Sequence, residues 1–110
     1  MPNNLIFNFS KKNLMLEIRP CCEHCEKDLP NESTEAMICT FECTYCKTCA
    51  EDVFENVCPN CGGGFTQRPT RPKQHLEKHP PSTIKVFKPK NLSEHQILIK
   101  KYKSISPSKR

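Results

Sequence analysis

The cysteines constrain the fold of this chain more than any other feature. Eight of its nine cysteines fall between positions 22 and 61, as C-x2-C, C-x3-C, C-x2-C and C-x2-C pairs in chain order. A tetrahedral zinc ion binds soft ligands at about 2.3 Å, so two thiolates on one ion lie roughly 4 Å apart. A turn of two or three residues directs both sulfurs of a pair at one point. The pattern predicts two Zn²⁺ ions held by Cys22, Cys25, Cys39, Cys43, Cys46, Cys49, Cys58 and Cys61.

A disulfide framework is the alternative, because a segment of this size does not stabilise itself by apolar burial alone. The odd cysteine count and the ligand-type spacing argue against it. The first sixteen residues also lack a secretory signal, since their apolar patch, residues 5–7, precedes Lys11 and Lys12 instead of following them. No apolar run approaches the roughly 20 residues of a membrane span. We therefore expect zinc in a soluble, cytoplasmic protein, where thiols stay reduced.

The four cysteine pairs can share two ions in two ways. A sequential scheme joins the first pair with the second and the third pair with the fourth. An interleaved scheme joins the first pair with the third, as Cys22, Cys25, Cys46 and Cys49, and the second with the fourth, as Cys39, Cys43, Cys58 and Cys61. We favour the interleaved scheme, because only the third pair opens a predicted helix, residues 49–56. A turn-borne pair that meets a pair at a helix start is the treble-clef arrangement.

The expected fold is a small zinc-stabilised α+β module of the treble-clef kind, with one short helix and short β-hairpins; the RING-like cross-brace is what the resemblance given below implies. Residues 1–14 are expected to be a disordered or spurious extension, since Met15 can itself initiate the chain. Residues 15–66 form the module, with short strands near 14–18 and 37–41. Residues 67–90 are an extended basic segment packing on or near it, with a helical turn at 73–79 and a strand at 82–88. Residues 91–110 are a basic tail, a weak helix capped by Asn91 and then disorder.

Charge divides along the chain. Residues 15–61 carry ten acidic and three basic side chains, whereas residues 62–110 carry twelve basic and two acidic ones. Each four-thiolate zinc site adds a charge of about −2 to the acidic half. The acidic module will not itself bind phosphates. The basic half can contact nucleic acid or a protein partner, or it can fold back on the module, through Arg68, Arg71, Lys73, Lys78 and Lys85.

Three stretches carry a more specific resemblance. The ligand order matches RING-type cross-brace domains, with cysteine at the position often held by histidine. The segments MLEIRPCCEHCEKDLP (15–30), ICTFECTYCKTCAEDVF (38–54) and CPNCGGGFTQRPTRP (58–72) resemble a small bacterial family, domain-of-unknown-function family 1272, described as RING-finger-like. The resemblance covers about residues 15–89. It implies a zinc-bound fold of this kind and no established activity. Residues 1–14 precede the family's usual start, and Cys21 stands where the family pattern has no cysteine.

Five other cysteine and histidine side chains need an interpretation. Cys21 neighbours a ligand and points away from it in an extended segment, which favours a spare thiol over an alternative ligand or a redox sensor. His24 lies inside a cysteine turn and is expected to face solvent. His75 and His79 have the i, i+4 spacing of a helical metal pair, but a solvated turn is the favoured interpretation. His95 is a lone histidine and supports no inference.

The function that these features favour is a non-catalytic zinc module that binds a protein partner, as a monomer or homodimer. No nucleophile-base pair, H-E-x-x-H motif or phosphate loop is present in the sequence, and a zinc ion with four protein ligands has no position for water. The alternatives are nucleic-acid binding through the basic tail, activity like that of RING-type ubiquitin ligases, and zinc storage or redox sensing. Scattered aromatic residues in the tail and the run of glycines after Cys61 argue against the first two.

Overall fold

Three short strands carry the cysteine-rich module. The computed structural model describes residues 15–110, so the prediction for residues 1–14 lies outside the described residues. Strands β1 (Ala36–Ile38), β2 (Thr44–Cys46) and β3 (Thr66–Gln67) form an antiparallel sheet in the order β2-β1-β3. Between and after them lie a π-helical segment, a one-turn α-helix, a C-terminal α-helix and a 3-10 turn, at Cys49–Val53, Lys73–Leu76, Leu92–Tyr102 and Pro107–Lys109.

The hairpin of β1 and β2 sets the register of the sheet. Ala36 lies opposite Cys46 and Ile38 opposite Thr44, so residues 39–43 form the connecting loop. Strand β3 adds to the other edge of β1, with Met37 opposite Gln67. The predicted boundary between residues 66 and 67 therefore falls inside a strand, and the module extends past it.

The helix predicted over residues 49–56 is shorter than expected, and it is a π-helical segment, which is wider than an α-helix. The Phe54 amide donates to the Cys49 carbonyl at 2.8 Å, an i→i+5 bond, and the segment ends at Val53. Glu55 and Asn56 then take left-handed φ values of 50° and 59°, which stop the helix. The Phe54 side chain, at the end of this segment, is fully buried.

Phe54 is the centre of an aromatic cluster that forms much of the core. It is fully buried and lies edge-on to Tyr45, with ring centroids 4.9 Å apart. The imidazoles of His24 and His95 pack against it at 5.1 and 5.0 Å. These spacings are those of favourable aromatic pairs. His24 therefore faces Phe54, not bulk solvent as the sequence suggests.

Arg68 is a buried tether and not a surface cation. Its side chain is 1% exposed, and its guanidinium donates to the carbonyl oxygens of Arg19, Leu29 and Pro30 at 2.8–3.0 Å. Its amide donates to the Ala36 carbonyl. Burial lowers the pKa of the guanidinium below its ordinary value. Arg68 thus joins two loops to the sheet, and the prediction that it contacts an external ligand is wrong because it is enclosed.

Residues 82–88 do not form the predicted strand. Isolated bonds hold this segment to the module, from the Ser82 amide to the Ile18 carbonyl at 2.9 Å and from the Lys88 amide to the Glu23 carbonyl at 2.8 Å. Pro80, Pro81 and Pro89 flank it and have no N–H for a ladder. The strand predicted at 14–18 is likewise absent from residues 15–18, the part that the structure describes.

The last 29 residues pack on the module as a C-terminal arm, which we define as residues 82–110. The Asn91 side chain caps the C-terminal helix by accepting from the Glu94 amide, as the sequence predicts. His95 and Ile99 are the buried residues of this helix and lie on the face that packs against the module. The predicted disorder after residue 103 is wrong, since the chain forms a 3-10 turn there and Arg110 donates to the Asn56 and Gly62 carbonyls.

Two glycines after Cys61 accommodate the arm. A Cβ atom at Gly62 would lie 2.9 Å from the Tyr102 ring, and Gly62 also has a φ of 76°. A Cβ atom at Gly64 would lie 2.7 Å from Pro107 Cγ. Both distances are shorter than real contacts, so this surface of the module is shaped to the arm. No helix within residues 15–110 is long and apolar enough to cross a membrane.

The tether role of Arg68 gives a first prediction. Arg68→Lys keeps the charge but does not reach three carbonyls, so buried acceptors lose their donors, at a cost of about 1–3 kcal/mol each before relaxation. We expect the free energy of unfolding in urea to fall by roughly 2–3 kcal/mol in total. Lys73→Gln, at an exposed position, is the control and should leave stability unchanged. Equal stability of Arg68→Lys and the wild type would contradict the tether.

Candidate metal centre

The first cluster contains four cysteines from two distant parts of the chain. The sulfurs of Cys22, Cys25, Cys46 and Cys49 all lie within 4.8 Å of one another. The first knuckle, residues 22–25, supplies two of them. The end of β2 and the start of the π-helical segment supply the other two. The first pair thus meets the third pair, which is the interleaved order.

The second cluster lies where the β1–β2 loop meets the second knuckle, residues 58–61. The sulfurs of Cys39, Cys43 and Cys58 lie within 4.8 Å of one another. Cys61 Sγ is not within that distance of all three; it accepts from the Gly63 amide at 3.4 Å and lies 3.9 Å from Thr40 Oγ1. The structure therefore assembles three of the four predicted ligands at this site.

Backbone amides point at the sulfurs in both clusters. Cys49 N donates to Cys46 Sγ at 3.4 Å, at the start of the helical segment. Asn60 N donates to Cys58 Sγ at 3.4 Å, and Phe41 N donates to Cys39 Sγ at 3.3 Å. Such bonds stabilise a thiolate more than a thiol, since a thiolate is the stronger acceptor. The turns are therefore arranged for charged sulfur.

The crowded thiols do not ionise independently. Contact with Cys39 lowers the pKa of the Cys43 thiol to about 2, and the same contact raises the pKa of Cys39 to about 11. In the first cluster, burial raises the pKa of Cys49, and the neighbouring Cys22 charge raises it further. Thiolates this close repel one another, so a full set of them at neutral pH requires a cation between them.

The donor set fits a thiophilic metal ion. Cys25 Sγ and Cys46 Sγ lie 3.7 Å apart, close to the roughly 3.8 Å between sulfurs of a tetrahedral ion with 2.3 Å bonds. A disulfide would bring them to about 2.05 Å. Thiolate ligands select zinc, copper(I) or iron-sulfur clusters over hard cations. Both cysteine clusters can hold a metal ion.

Two side chains that the sequence analysis does not single out support the ligands. Asn60 Nδ2 donates to Cys43 Sγ at 3.1 Å and to the Tyr45 hydroxyl at 3.2 Å. Burial raises the pKa of the Tyr45 hydroxyl above its ordinary value. Glu23 is 3% exposed, and its Oε2 accepts from Arg19 and from the Thr44 amide, both at 2.6 Å. Asn60 and Glu23 both lie inside C-x2-C turns, and this position is the one sequence signal that could have found them.

Comparison with known proteins identifies the family. Residues 15–71 match the family described as "Protein of unknown function (DUF1272)". The chain belongs to this family. An uncharacterized protein of Rhizobium meliloti (strain 1021) is 56% identical over 75 residues, which are 68% of this chain and 89% of that protein. No solved structure matches the chain. The DUF1272 match confirms the resemblance drawn from the three cysteine-rich stretches, and it contains every cysteine of both clusters.

The other candidate residues of this DUF1272 chain lie apart from the clusters. Cys21 is 1% exposed, and its Sγ lies 4.0 Å from the Val86 carbonyl under the C-terminal arm. Within residues 15–110, no third ligand joins His75 and His79 in a metal-binding group. His95, from which the sequence supports no inference, is buried, with Nε2 2.7 Å from the Val57 carbonyl. The arm therefore contacts the module beside the second knuckle.

The basic candidates fall into two groups. Arg71 resembles Arg68, because its guanidinium donates to the Leu16 and His79 carbonyls. Lys73, Lys78 and Lys85 are exposed. Among residues 15–110, one ion pair joins the arm to the acidic module, between Lys103 and Glu55 at 2.8 Å. The basic half does fold back on the module, but mainly through carbonyls and packing.

The buried Glu23 carboxylate gives a second prediction. Glu23→Gln keeps the size but removes the charge that accepts from Arg19 and the Thr44 amide. Charge-assisted hydrogen bonds contribute about 1.5–3 kcal/mol, so we expect the free energy of unfolding to fall by roughly 2 kcal/mol. Urea denaturation followed by circular dichroism measures the change. Glu26→Gln, at an exposed carboxylate three residues further on, is the control, and an equal effect of both changes would refute a specific role for Glu23.

Proposed function

We propose that this protein is a non-catalytic zinc protein in which two Zn²⁺ ions hold a scaffold that binds a protein partner. The observation that carries the proposal is the pair of interleaved cysteine clusters, one of four sulfurs and one of three, each within 4.8 Å. Because the clusters take their ligands alternately along the chain, we assign a RING-like cross-brace, with a treble clef where the first knuckle meets the start of the helical segment. Cys61 is the fourth ligand of the second ion, since it closes the second knuckle.

A structural role for the metal follows from the ligand count. Four thiolates fill a tetrahedral zinc ion and leave no position for water or substrate. Structural zinc supplies on the order of 10 kcal/mol or more of folding free energy to small domains. Here it links the loop of β1 and β2, both knuckles and the helical segment around the buried cluster that contains Phe54. We therefore propose no enzymatic activity for the clusters.

Metal counting tests the zinc proposal. We expect native mass spectrometry of the purified protein to find two zinc ions per chain, and chelation by EDTA to remove the folded circular dichroism signal. Cys46→Ser with Cys49→Ser should lose at least one ion and lower the melting temperature, because these sulfurs are half of the first cluster. Cys21→Ser is the matched control and should keep both ions. Fewer than two ions in the wild type would contradict the proposal.

An exposed apolar groove supports a protein partner. Phe41 and Ile84 are 74% and 70% exposed, and Met15 is 48% exposed. All three line one groove of about 720 Å³ between the module and the start of the arm, together with the charged residues Glu17, Arg19, Glu42 and Arg71. Large apolar side chains that cluster on a surface mark interaction sites more often than scattered ones do. We assign this groove as the partner-binding surface.

The partner is tested by capture followed by direct binding. Wild-type protein with zinc retained should capture a specific protein from native lysate treated with nuclease. Phe41→Asp should lose that protein, because the charge disrupts the groove, whereas Lys73→Gln should keep it. The captured protein, once purified, should bind the wild type at least tenfold more tightly than Phe41→Asp by calorimetry. Equal binding to both would contradict the assignment.

The other functions have less support. Nucleic-acid binding through the basic half loses two of its five predicted contacts, because Arg68 and Arg71 are engaged with carbonyl groups. Lys73, Lys78 and Lys85 remain exposed for such a role. Activity like that of RING-type ubiquitin ligases rests on ligand order alone. We favour the protein partner over both.

A further inference from the structure

Lys90, in the C-terminal arm, contacts both cysteine knuckles. Its backbone amide donates to His24 Nδ1 at 2.9 Å, and its ammonium donates to Asn60 Oδ1 at 3.0 Å. His24 and Asn60 hold the same place in their knuckles, the third position of C-x2-C. One residue of the arm is therefore bonded to the same position of two separate metal-binding turns.

The ammonium of Lys90 determines which way the Asn60 amide faces. Lysine has only donors, so the amide must present its oxygen to Lys90. The amide nitrogen then faces the other way, toward Cys43 Sγ at 3.1 Å and the Tyr45 hydroxyl at 3.2 Å. An N–H donor stabilises a thiolate, whereas an amide oxygen in that place would repel it. Lys90 thus acts on the Cys43 sulfur through Asn60.

The arm holds Lys90 in place from both sides. Before it, the Lys88 amide donates to the Glu23 carbonyl inside the first knuckle. After it, His95 contacts the Val57 carbonyl, one residue before Cys58, and Tyr102 lies against Gly62. The contacts continue along both knuckles. The position of the ammonium is therefore a consequence of the docked arm.

We propose that Lys90 is a positioning residue for the second cluster, which clips the two knuckles together and fixes Asn60 as a donor to the Cys43 thiolate. The proposal rests on the zinc sites proposed above and goes beyond them, because it makes metal retention at one site depend on a residue outside the cysteine-rich segment. The metal at the second cluster is held more firmly when the arm is docked. The first knuckle keeps the bond from the Lys90 backbone amide to His24 whatever side chain stands at position 90.

Zinc release from the full-length protein tests this proposal. The wild type, Lys90→Met, Lys90→Arg and Lys88→Met are loaded with zinc, and release to the coloured chelator 4-(2-pyridylazo)resorcinol is followed. Methionine keeps the length of lysine and removes its charge, and the partly exposed position tolerates it. Lys88→Met is the matched control, with the same charge change two residues away and an exposed side chain. Circular dichroism checks that each variant is folded.

We expect Lys90→Met to release one zinc equivalent about tenfold faster, as the loss of one charge-assisted hydrogen bond at the surface implies, and the other at the wild-type rate. Alkylation mapped by mass spectrometry should label Cys39, Cys43 and Cys58 before the cysteines of the first cluster. Lys90→Arg should restore slow release, and Lys88→Met should match the wild type.

Two results would overturn the proposal on their own. One is release from Lys90→Met at the Lys88→Met rate; the other is equal acceleration of both equivalents, which indicates a general charge effect. A wild-type count below two zinc ions, measured first, overturns the zinc proposal and this one together. The two failures are therefore distinguishable.

Discussion

Repulsion between buried thiolates is the constraint on which the rest of this structure depends. Seven sulfurs gather in two clusters within 4.8 Å, a spacing that charged sulfurs hold only around a cation. Hydrogen-bond donors around the clusters reduce the repulsion between the thiolates. Backbone amides donate to the sulfurs, and the Asn60 amide adds another donor.

Carbonyl groups, not carboxylates, are the main partners of the basic half. The net charges suggest an electrostatic arm on an acidic module, yet Arg68, Arg71 and Arg110 all donate to backbone oxygens. A guanidinium has five donors in one plane, so it can satisfy several loop carbonyls that no strand reaches. Loops without ladder partners thus acquire bonds from arginine. Such contacts are less sensitive to salt than exposed ion pairs are.

The sequence predicts the parts of the structure that local spacing determines. The cysteine pairs, the turn at Lys73–Leu76 and the Asn91 cap follow from a few adjacent residues, and the structure contains each of them. It does not predict the burial of Arg68 or His95, because their partners lie 38 or more residues away in the chain. The strand expected at residues 82–88 fails for a related reason. Alternation indicates a strand, but a strand also needs a neighbour with free backbone groups.

Gly64, in the module, is constrained by the docked arm and not by its own backbone conformation. Gly62 needs its glycine for backbone reasons, since a φ of 76° disfavours any side chain. Gly64 has no such backbone requirement, and only the Pro107 ring, 2.7 Å from where a Cβ would stand, excludes a side chain there. In a relative whose chain stops before the arm, position 64 is released from this restriction while position 62 is not. A relative with a side chain at position 64 could therefore not hold an arm against the module in the way that this chain does.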